Sequence, residues 1–563
     1  FNYNKMKKIL ILLMTFSVIV SCSEDFTDID PVGSLSDASL QNATGVDLLL
    51  TGTYSVLDGI RNGGPGADWT KSGDNWWMDV ISDDAHKGST DGDQADLYAI
   101  EIFDWGTTNP YFEGKWQALF AGVNRANGVI DLISSSDNPA DFDVQHAQAK
   151  FLRAHYNFEL TRMWGNVPYV SEENYANNEF NQPNSGPLWS QIESDLDFAV
   201  NNLPSSRGGS YNEAGRPIVS TAQAYLGKVQ LYQNDFADAL GNLESVINSG
   251  DYALATDYFS NFRSDGENGP EAIFAIQFSA SGGLSQQGNR GGTLNFNIRA
   301  GLCCGFYQPS IDLANAFKTE AGLPMLDTFN QTDITNDYGV NSNEAHTPHT
   351  GPLDPRIDFT IGRRGIDLNG YGPNAGKDNV RAAFGDISGP FVAKKNFYTA
   401  GDDTNIGTGG WGEQRSGINY HIIRYADVLL MAAEAAVETG NLEKARGYVN
   451  QVRQRAVNTT RADSSPNYVI DTYNSSWTDA AVARKAVRFE RRLELGMEGH
   501  RLFDLRRWGN FVDIMNAYIA NEARTIANYG TKSQAAQSKH MMLPIPLNAI
   551  DTSEGTLTQN PGF

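Results

Sequence analysis

Apolar residues recur at helical spacing in several long stretches of the chain. In the segment 147–163, Leu152, Tyr156 and Leu160 follow one another at four-residue intervals, and Trp164 continues the series. Such spacing places these side chains on one face of a helix. Similar patterns, interrupted by Gly and Pro, predict further helices over 37–60, 111–133, 310–318 and 480–495.

Two segments, 220–249 and 426–456, resemble each other position by position. Each has two small residues twelve positions apart, Gly227 with Ala239 and Ala433 with Ala445. Small residues at these positions let two paired helices approach closely. The spacing resembles that of a tetratricopeptide repeat, although most of its aromatic signature positions are absent. We favour degenerate repeats over the alternative that any helical hairpin shows such spacing.

The segment 251–420 has a different composition, rich in Gly, Asn, Asp and Pro, with short strand-like pieces such as 272–278. We therefore predict a mainly α fold, a tetratricopeptide-like helical-repeat scaffold with an inserted, irregular, loop-rich lobe that contains short strands. The expected organisation is a leader (1–21), an acylated cysteine and tether (22–36), an N-terminal helical region (37–250), the variable lobe (251–420) and a C-terminal helical region (421–563).

The N-terminal stretch 6–25 has the order of a secretory signal. Lys7 and Lys8 precede an apolar run over 9–20 that is too short to cross a bilayer, and Cys22 follows. This order resembles a bacterial lipobox, which implies lipidation of Cys22; the alternative is an ordinary secretory leader with an accidental cysteine. No later stretch of the sequence is apolar over a membrane-spanning length, so we expect a lipid-anchored protein.

Charge and cysteine content narrow the range of partners. The formal net charge is −24, which repels nucleic acid and favours a neutral ligand over a polyanionic one. With Cys303 and Cys304 as the only cysteines besides Cys22, no disulfide framework can form. A bond between these neighbours, stiffening a loop, and a pair of free thiols both remain open.

Two acidic patterns in the sequence each allow a functional and a structural interpretation. Glu490 and Glu494 share a helical face, but several arginines follow at 501–507, so a structural ion-pair cluster is favoured over a catalytic carboxylate pair. The acid-rich runs 82–84 and 91–96 lack the spacing of a calcium-binding EF-hand. A solvated acidic loop is favoured there, with a Ca²⁺ site as the alternative; no other cofactor or metal is expected.

Several motifs together resemble the SusD/RagB family, and they run in that family's order from the lipobox to the C-terminus. They are RAHY at 153–156, GNVP at 165–168, RYADVLL at 424–430, ERRLEL at 490–495, GHR at 499–501, DLRRW at 504–508, LPIP at 543–546 and QNPG at 559–562. The resemblance implies a non-enzymatic, glycan-binding lipoprotein on the extracellular face of the outer membrane. It also implies a SusC-like TonB-dependent transporter as partner, which imports the captured oligosaccharide.

Sugar binding requires aromatic faces for pyranose rings and polar groups for hydroxyls. The candidates are loop residues, and the alternative for each aromatic is packing in the core. The predicted glycan-binding residues are Trp69, Asp74, Asn75, Trp76, Trp77, Arg299, Phe306, Tyr307, Tyr371 and Trp411. Trp116, Trp164, Trp189 and Trp508 lie in helical patterns, and we interpret them as core residues.

Three functions are therefore compared. The first is surface capture of a polysaccharide or oligosaccharide, with a neutral glucan favoured, for delivery to the transporter. The second is an outer-membrane-anchored glycoside hydrolase, because the sequence has many carboxylates. The third is a helical adapter that binds only protein.

Overall fold

Within the described residues, helices form most of the N-terminal and C-terminal parts, and short strands lie mainly between them. The structure is a computed structural model, and it describes residues 40–59, 68–280, 287–295, 304–395, 397, 399–402, 405–407 and 415–563. The helices are α1 (Ala43–Tyr54), α2 (Trp76–Val80), α3 (Ala95–Glu101), α4 (Pro110–Ser134), α5 (Asp143–Trp164), α6 (Glu172–Ala176), α7 (Trp189–Asn202), α8 (Val219–Tyr232), α9 (Phe236–Ser249), α10 (Gly292–Asn295), α11 (Ile311–Ala316), α12 (Ile357–Thr360), α13 (Tyr425–Glu438), α14 (Leu442–Asn458), α15 (Ala480–Leu495), α16 (Arg501–Arg507), α17 (Phe511–Glu522), α18 (Ala527–Lys532) and α19 (Leu547–Thr552).

The long helices pack in a continuous series. Helix α4 packs on α5, α5 on α7, α7 on α8, and α8 on α9. Helix α9 then packs on α13, which contacts α14 and α15. The two hairpins that the sequence repeats, α8–α9 and α13–α14, are therefore neighbouring layers, although the whole inserted lobe separates them in sequence.

The small residues of the repeat allow the close approach that their spacing predicted. A Cβ atom at Gly227 would lie 2.8 Å from Cγ of Leu243 and 3.3 Å from the carbonyl oxygen of Ala239. Ala433 and Ala445 are fully buried in the corresponding hairpin. Helix α5 is more buried than the predicted single stripe, because every residue from Phe151 to Trp164 is buried.

The short strands mostly pair with strands that are distant in sequence. They are β1 (Ala85–Gly88), β2 (Ala272–Ile276), β3 (Phe306–Pro309), β4 (Thr319–Glu320), β5 (Leu323–Pro324), β6 (Ile361–Gly362), β7 (Val392–Ala393) and β8 (Tyr420–Arg424). Each pairs with one antiparallel partner, β1 with β3, β2 with β8, β4 with β5 and β6 with β7. In the β2–β8 pair, Ala272 lies opposite Arg424 and Ile276 opposite Tyr420.

A buried ion-pair network joins this lobe to the C-terminal helices. Arg424, at the end of β8, forms ion pairs with Glu271, Glu494 and Glu498 at 2.7–3.0 Å. Glu494 belongs to α15, and Glu271 immediately precedes β2. The network therefore ties the edge of the inserted lobe to the helical scaffold.

The predicted fold class, mainly α with an inserted lobe of short strands, is confirmed by this arrangement. Within the described residues, no helix is both long enough and apolar enough to span a bilayer.

Candidate functional site

Trp76 and Trp77, two of the aromatics predicted to lie in a loop, belong to the core. Trp76 and Trp77 begin helix α2 and are 1% and 0% exposed. The indole N–H of Trp76 donates to the carbonyl oxygen of Trp69, and that of Trp77 to the carbonyl oxygen of Thr70. Trp77 also packs edge-on against Tyr111. The prediction that Trp76 and Trp77 present their rings to a glycan is wrong for this structure, because other side chains cover both rings.

The polar residues beside them hold the same turn. Asp74 is buried, and its carboxylate accepts from the backbone N–H of Trp76; burial raises the pKa of Asp74. Asn75 has a left-handed backbone and donates to Glu159 of α5 at 3.1 Å. Asp74 and Asn75 were predicted to contact sugar, and this prediction is also wrong here, because their polar groups are buried within the protein.

Phe306 and Tyr307 are likewise directed inward. Both lie on β3, which pairs with β1, and they are 2% and 1% exposed. The hydroxyl of Tyr307 donates to Asp79 at 2.6 Å, and its ring packs against Trp76. The ammonium of Lys87 lies 5.0 Å from the ring of Phe306. These contacts correct the prediction that the two rings line a binding site.

Trp69 and Tyr371 are the predicted aromatics that keep part of their surface exposed among the residues described. Trp69 lies on the turn Asp68–Thr70 and donates through its indole N–H to Gln94. Tyr371 packs against Phe397 with ring centroids 5.7 Å apart. Arg299, Trp411 and the proposed lipidation site Cys22 lie outside the described residues.

Three described segments, which contain Ser72, Asn289 and Ser416, are joined by hydrogen bonds. Ser72 Oγ lies 3.2 Å from Asn289 Oδ1 and accepts from the backbone N–H of Gly291. The backbone N–H of Asn289 in turn donates to the carbonyl oxygen of Ser416. We define the loop-stem face as residues 69–72, 287–291, 371, 405–407 and 415–418. Most of them are buried, and residues 69, 71, 287, 371, 405 and 406 keep part of their area exposed.

A small apolar cluster overlaps the loop-stem face. Phe397 and Ile418 form its buried centre, with Tyr371 and Ile406 packed against them. The backbone N–H of Gly417 donates to the carbonyl oxygen of Asn405, which joins two of the segments directly. Tyr371 therefore packs against the segment that contains Ser416, and Asn289 connects that segment to residues 69–72.

Cys304 is disulfide-bonded, so the alternative of two free thiols is not the state found in the structure. Cys303 lies outside the described residues. The backbone N–H of Cys304 donates to the carbonyl oxygen of Leu294 at 3.2 Å. This hydrogen bond connects the residues just before β3 to helix α10, next to the loop-stem face.

The carboxylates that were considered for catalysis or metal binding are held in ion pairs. Glu490 pairs with Arg356 and Arg453 at 2.8 Å, which agrees with the predicted structural cluster. Asp83 pairs with Arg501 at 2.7 Å. Burial alone would raise the pKa of Asp83, but Arg492 and Arg501 lower it to about 2.

The second acidic run is engaged in the same way. Asp91 pairs with Lys532 at 2.5 Å, and Asp93 pairs with Arg381 at 3.0 Å. Among the described residues, no group of three or more His, Cys, Asp or Glu side chains is arranged to hold a metal ion. Four acids of the two acid-rich runs thus form ion pairs within the protein: Asp83, Asp84, Asp91 and Asp93.

Sequence reasoning missed a large groove on another side of α4. It has a volume of about 820 Å³ and lies between α4, the segment 168–182 and the C-terminal segment 549–557. Its most exposed aromatic residue, Phe180, lies in an Asn- and Glu-rich stretch, where Tyr175 packs edge-on against it. Two aromatics in such a polar stretch were the available signal, but the three walls of the groove are distant in sequence.

Comparison with known proteins identifies the family. The chain matches the model of the SusD family over residues 270–563, more than half of its length. The chain belongs to the SusD family. Residues 62–231 match a second model of this kind, described as starch-binding associating with outer membrane. The predicted SusD/RagB membership is therefore confirmed.

Individual SusD-like relatives cover nearly the whole chain. A SusD-like protein of Formosa agariphila is 24% identical over 562 residues, covering 98% of this chain and 97% of that protein. The crystal structure of a SusD superfamily protein from Bacteroides vulgatus has a TM-score of 0.67 and 23% identity, covering 93% of this chain and 100% of the other.

A third similarity is to surface glycan-binding protein A from Bacteroides thetaiotaomicron in complex with laminarihexaose. The TM-score is 0.63 and the identity 21%, covering 92% of this chain and 99% of that one. At such identities the likeness establishes the shared fold. The tetratricopeptide-like helical scaffold predicted for this SusD-family chain is thereby confirmed.

Proposed function

We propose that this protein is a non-catalytic, lipid-anchored glycan-binding protein on the extracellular face of the outer membrane. It captures a polysaccharide or oligosaccharide and passes it to a SusC-like TonB-dependent transporter. The observation that carries the proposal is the SusD-family match over residues 270–563. The laminarihexaose complex of a structural neighbour and the outer-membrane description of the second family model support it.

The loop-stem face is the proposed binding surface. Trp69 and Tyr371 there keep exposed ring area on a framework that hydrogen bonds hold in place. A partly exposed ring can pack against the C–H face of a pyranose, and fixed aromatics lose little conformational entropy on binding. Arg299 and Trp411, outside the described residues, stay in the proposal as further contacts.

A neutral glycan is the proposed ligand. The formal net charge of −24 disfavours a polyanion, and a neutral glucan remains our favoured choice. The absence of catalysis is part of the proposal, and the pairing of Glu490 and Glu494 with Arg356 supports it. Carboxylates tied to arginines stay ionised and serve poorly as general acids.

Affinity electrophoresis through gels that contain neutral or charged polysaccharides tests the proposal. We expect slowed migration in at least one neutral glucan gel and no release of reducing sugar from that glucan. Replacing Trp69 and Tyr371 by Ala should weaken retention about fivefold or more, roughly 1 kcal/mol of binding free energy. Trp69→Phe should keep most of the retention, because a ring remains.

The control is Val482→Ala, which removes an exposed apolar side chain of α15 without touching the loop-stem face. Its migration should equal that of the wild type. Unretarded migration of the wild type in every glycan gel would contradict the proposed function, and release of reducing sugar would favour the hydrolase. The anchor is tested separately, since Cys22→Ala should release the protein from the membrane fraction.

A further inference from the structure

The groove beside α4 has the lining of a sugar site and not of a charged or purely apolar surface. Aromatic rings form part of its floor and rim, with Trp116 packed on Phe120 at a centroid distance of 4.7 Å and Phe180 49% exposed. Its volume of about 820 Å³ lies in the range of sites that enclose small molecules, about 300–1,000 Å³.

The polar part of the lining consists of amides and hydroxyls. Asn124, Gln182 and Thr552 line the groove, and Glu554 is the one residue with a formal charge among those that do. In a chain with a net charge of −24, such a neutral surface neither attracts a polyanion nor offers the carboxylate cluster that a basic partner needs.

Several of these polar groups have hydrogen-bonding capacity left. Within the described part of the chain, the side-chain amide of Asn124 has no protein partner. Gln182 donates to the carbonyl oxygen of Glu179, which leaves its own Oε1 open to a donor. Carboxamides that both donate and accept, next to exposed rings, match the hydroxyls and C–H faces of an uncharged sugar.

The groove is distinct from the loop-stem face, although both use α4. Near its start the helix contacts the loop-stem face, since Lys115 donates to the carbonyl oxygen of Ser72 and Gly114 lies against Thr70. Phe120 and Asn124, one and two turns further along, lie on another side of the helix and line the groove.

We infer that this groove is a second binding site for neutral oligosaccharide, with Phe180 as its stacking platform and Asn124 and Gln182 as its hydroxyl-binding groups. The inference rests on the proposed function for the class of ligand. Two sites on one rigid body raise the retention of a long polysaccharide above that of either site alone, because the second contact is intramolecular.

Hydrogen–deuterium exchange of the full chain with laminarihexaose, maltohexaose or cellohexaose tests the inference. With at least one of these sugars we expect slower exchange in peptides from 116–127, 168–182 and 547–557. Phe180→Ala combined with Gln182→Ala should abolish this protection and lower retention in the matching polysaccharide gel about fivefold. Protection near Trp69 should persist. Val482→Ala, equally exposed and outside the groove, should change neither measurement.

The variant with Trp69 and Tyr371 replaced by Ala should show the reverse pattern, keeping protection in the groove. If a sugar protects the loop-stem face but never the groove, the inference falls and the proposed function stands. If no hexasaccharide protects either surface and no gel retards the protein, both fall. Protection of the groove that depends on protein concentration and not on sugar would identify a contact between copies and overturn the inference.

Discussion

The replacement Arg424→Met tests whether the buried ion network holds the inserted lobe to the helices. The guanidinium of Arg424 is 1% exposed and contacts three carboxylates, Glu271, Glu494 and Glu498. Met retains much of the apolar length of the side chain but removes the charge and all of these hydrogen bonds. The variant therefore removes a partner without opening a large cavity.

Among the described residues, the positive and negative charges of this network are equal in number, so the loss of Arg424 leaves a net negative charge inside the protein. Among the residues that the structure describes, five cations and five carboxylates form one connected set: Arg356, Lys395, Arg424, Arg453 and Arg455 with Glu271, Asp354, Glu490, Glu494 and Glu498. Arg424→Met leaves one carboxylate in excess inside the protein. Breaking a buried pair in this way costs about 3–5 kcal/mol of unfolding free energy.

Urea unfolding followed by circular dichroism and tryptophan fluorescence measures this cost. A chain of this size shifts its thermal midpoint by only about 1 °C per kcal/mol, so denaturant gives the sharper reading. Arg446→Met is the control, because Arg446 pairs with Glu443 on the surface of α14. The urea midpoint of that variant should equal that of the wild type.

A second substitution identifies the cause. Adding Glu498→Gln to Arg424→Met restores the charge balance, so it should cost less than Glu498→Gln alone, with a coupling of about 0.5–3 kcal/mol.

Burial alone would raise the pKa of Glu498, but Arg424 and Lys395 lower it to about 2. The stability from that shift is present above about pH 4.5 and is lost as the pH falls towards 2. An Arg424→Met variant as stable as the wild type, with no coupling to Glu498, would refute the reasoning.

Three further predictions concern other parts of the fold. Burial opposes the charge on His86, but Glu101 and Glu522 raise its pKa from 6.5 to about 10. The stability from this shift is complete below about pH 6.5 and is lost as the pH rises towards 10. In urea unfolding, the wild type should therefore lose up to about 1.4 kcal/mol per pH unit relative to His86→Gln. Equal pH slopes for the two proteins would contradict this. Gly227→Ala should destabilise the protein by about 1–2 kcal/mol, because its Cβ would collide with Leu243. The control Gly241→Ala, with open space around it, should be neutral or stabilise by up to about 1 kcal/mol. A lower urea midpoint for Gly241→Ala than for Gly227→Ala would refute the close helix contact. Trp77→Ala should destabilise by about 3–5 kcal/mol as a buried tryptophan, which urea unfolding measures. A variant with the urea midpoint of the wild type would contradict the burial of its ring.

The helices, the repeated hairpins and the family could be predicted from the sequence because they depend on local patterns. Helix α15 was predicted over 480–495 and is found at Ala480–Leu495. Four-residue apolar spacing determines one face of a helix wherever that helix packs. An ion-pair cluster around Glu490 and Glu494 was predicted because arginines follow them in the sequence. Their partners are instead arginines from other parts of the chain, which only the tertiary structure brings to α15: Arg356, Arg424, Arg453 and Arg455.

Which aromatics face solvent was decided by tertiary structure alone. Tyr307 lies in a glycine-rich stretch that predicts a loop, yet its hydroxyl donates to Asp79, 228 positions away, and its ring packs against Trp76. The groove of Phe180 is likewise formed by three segments that no local pattern connects. Burial of a ring depends on what covers it, and here the covering residues come from distant parts of the chain, so composition and spacing cannot specify it.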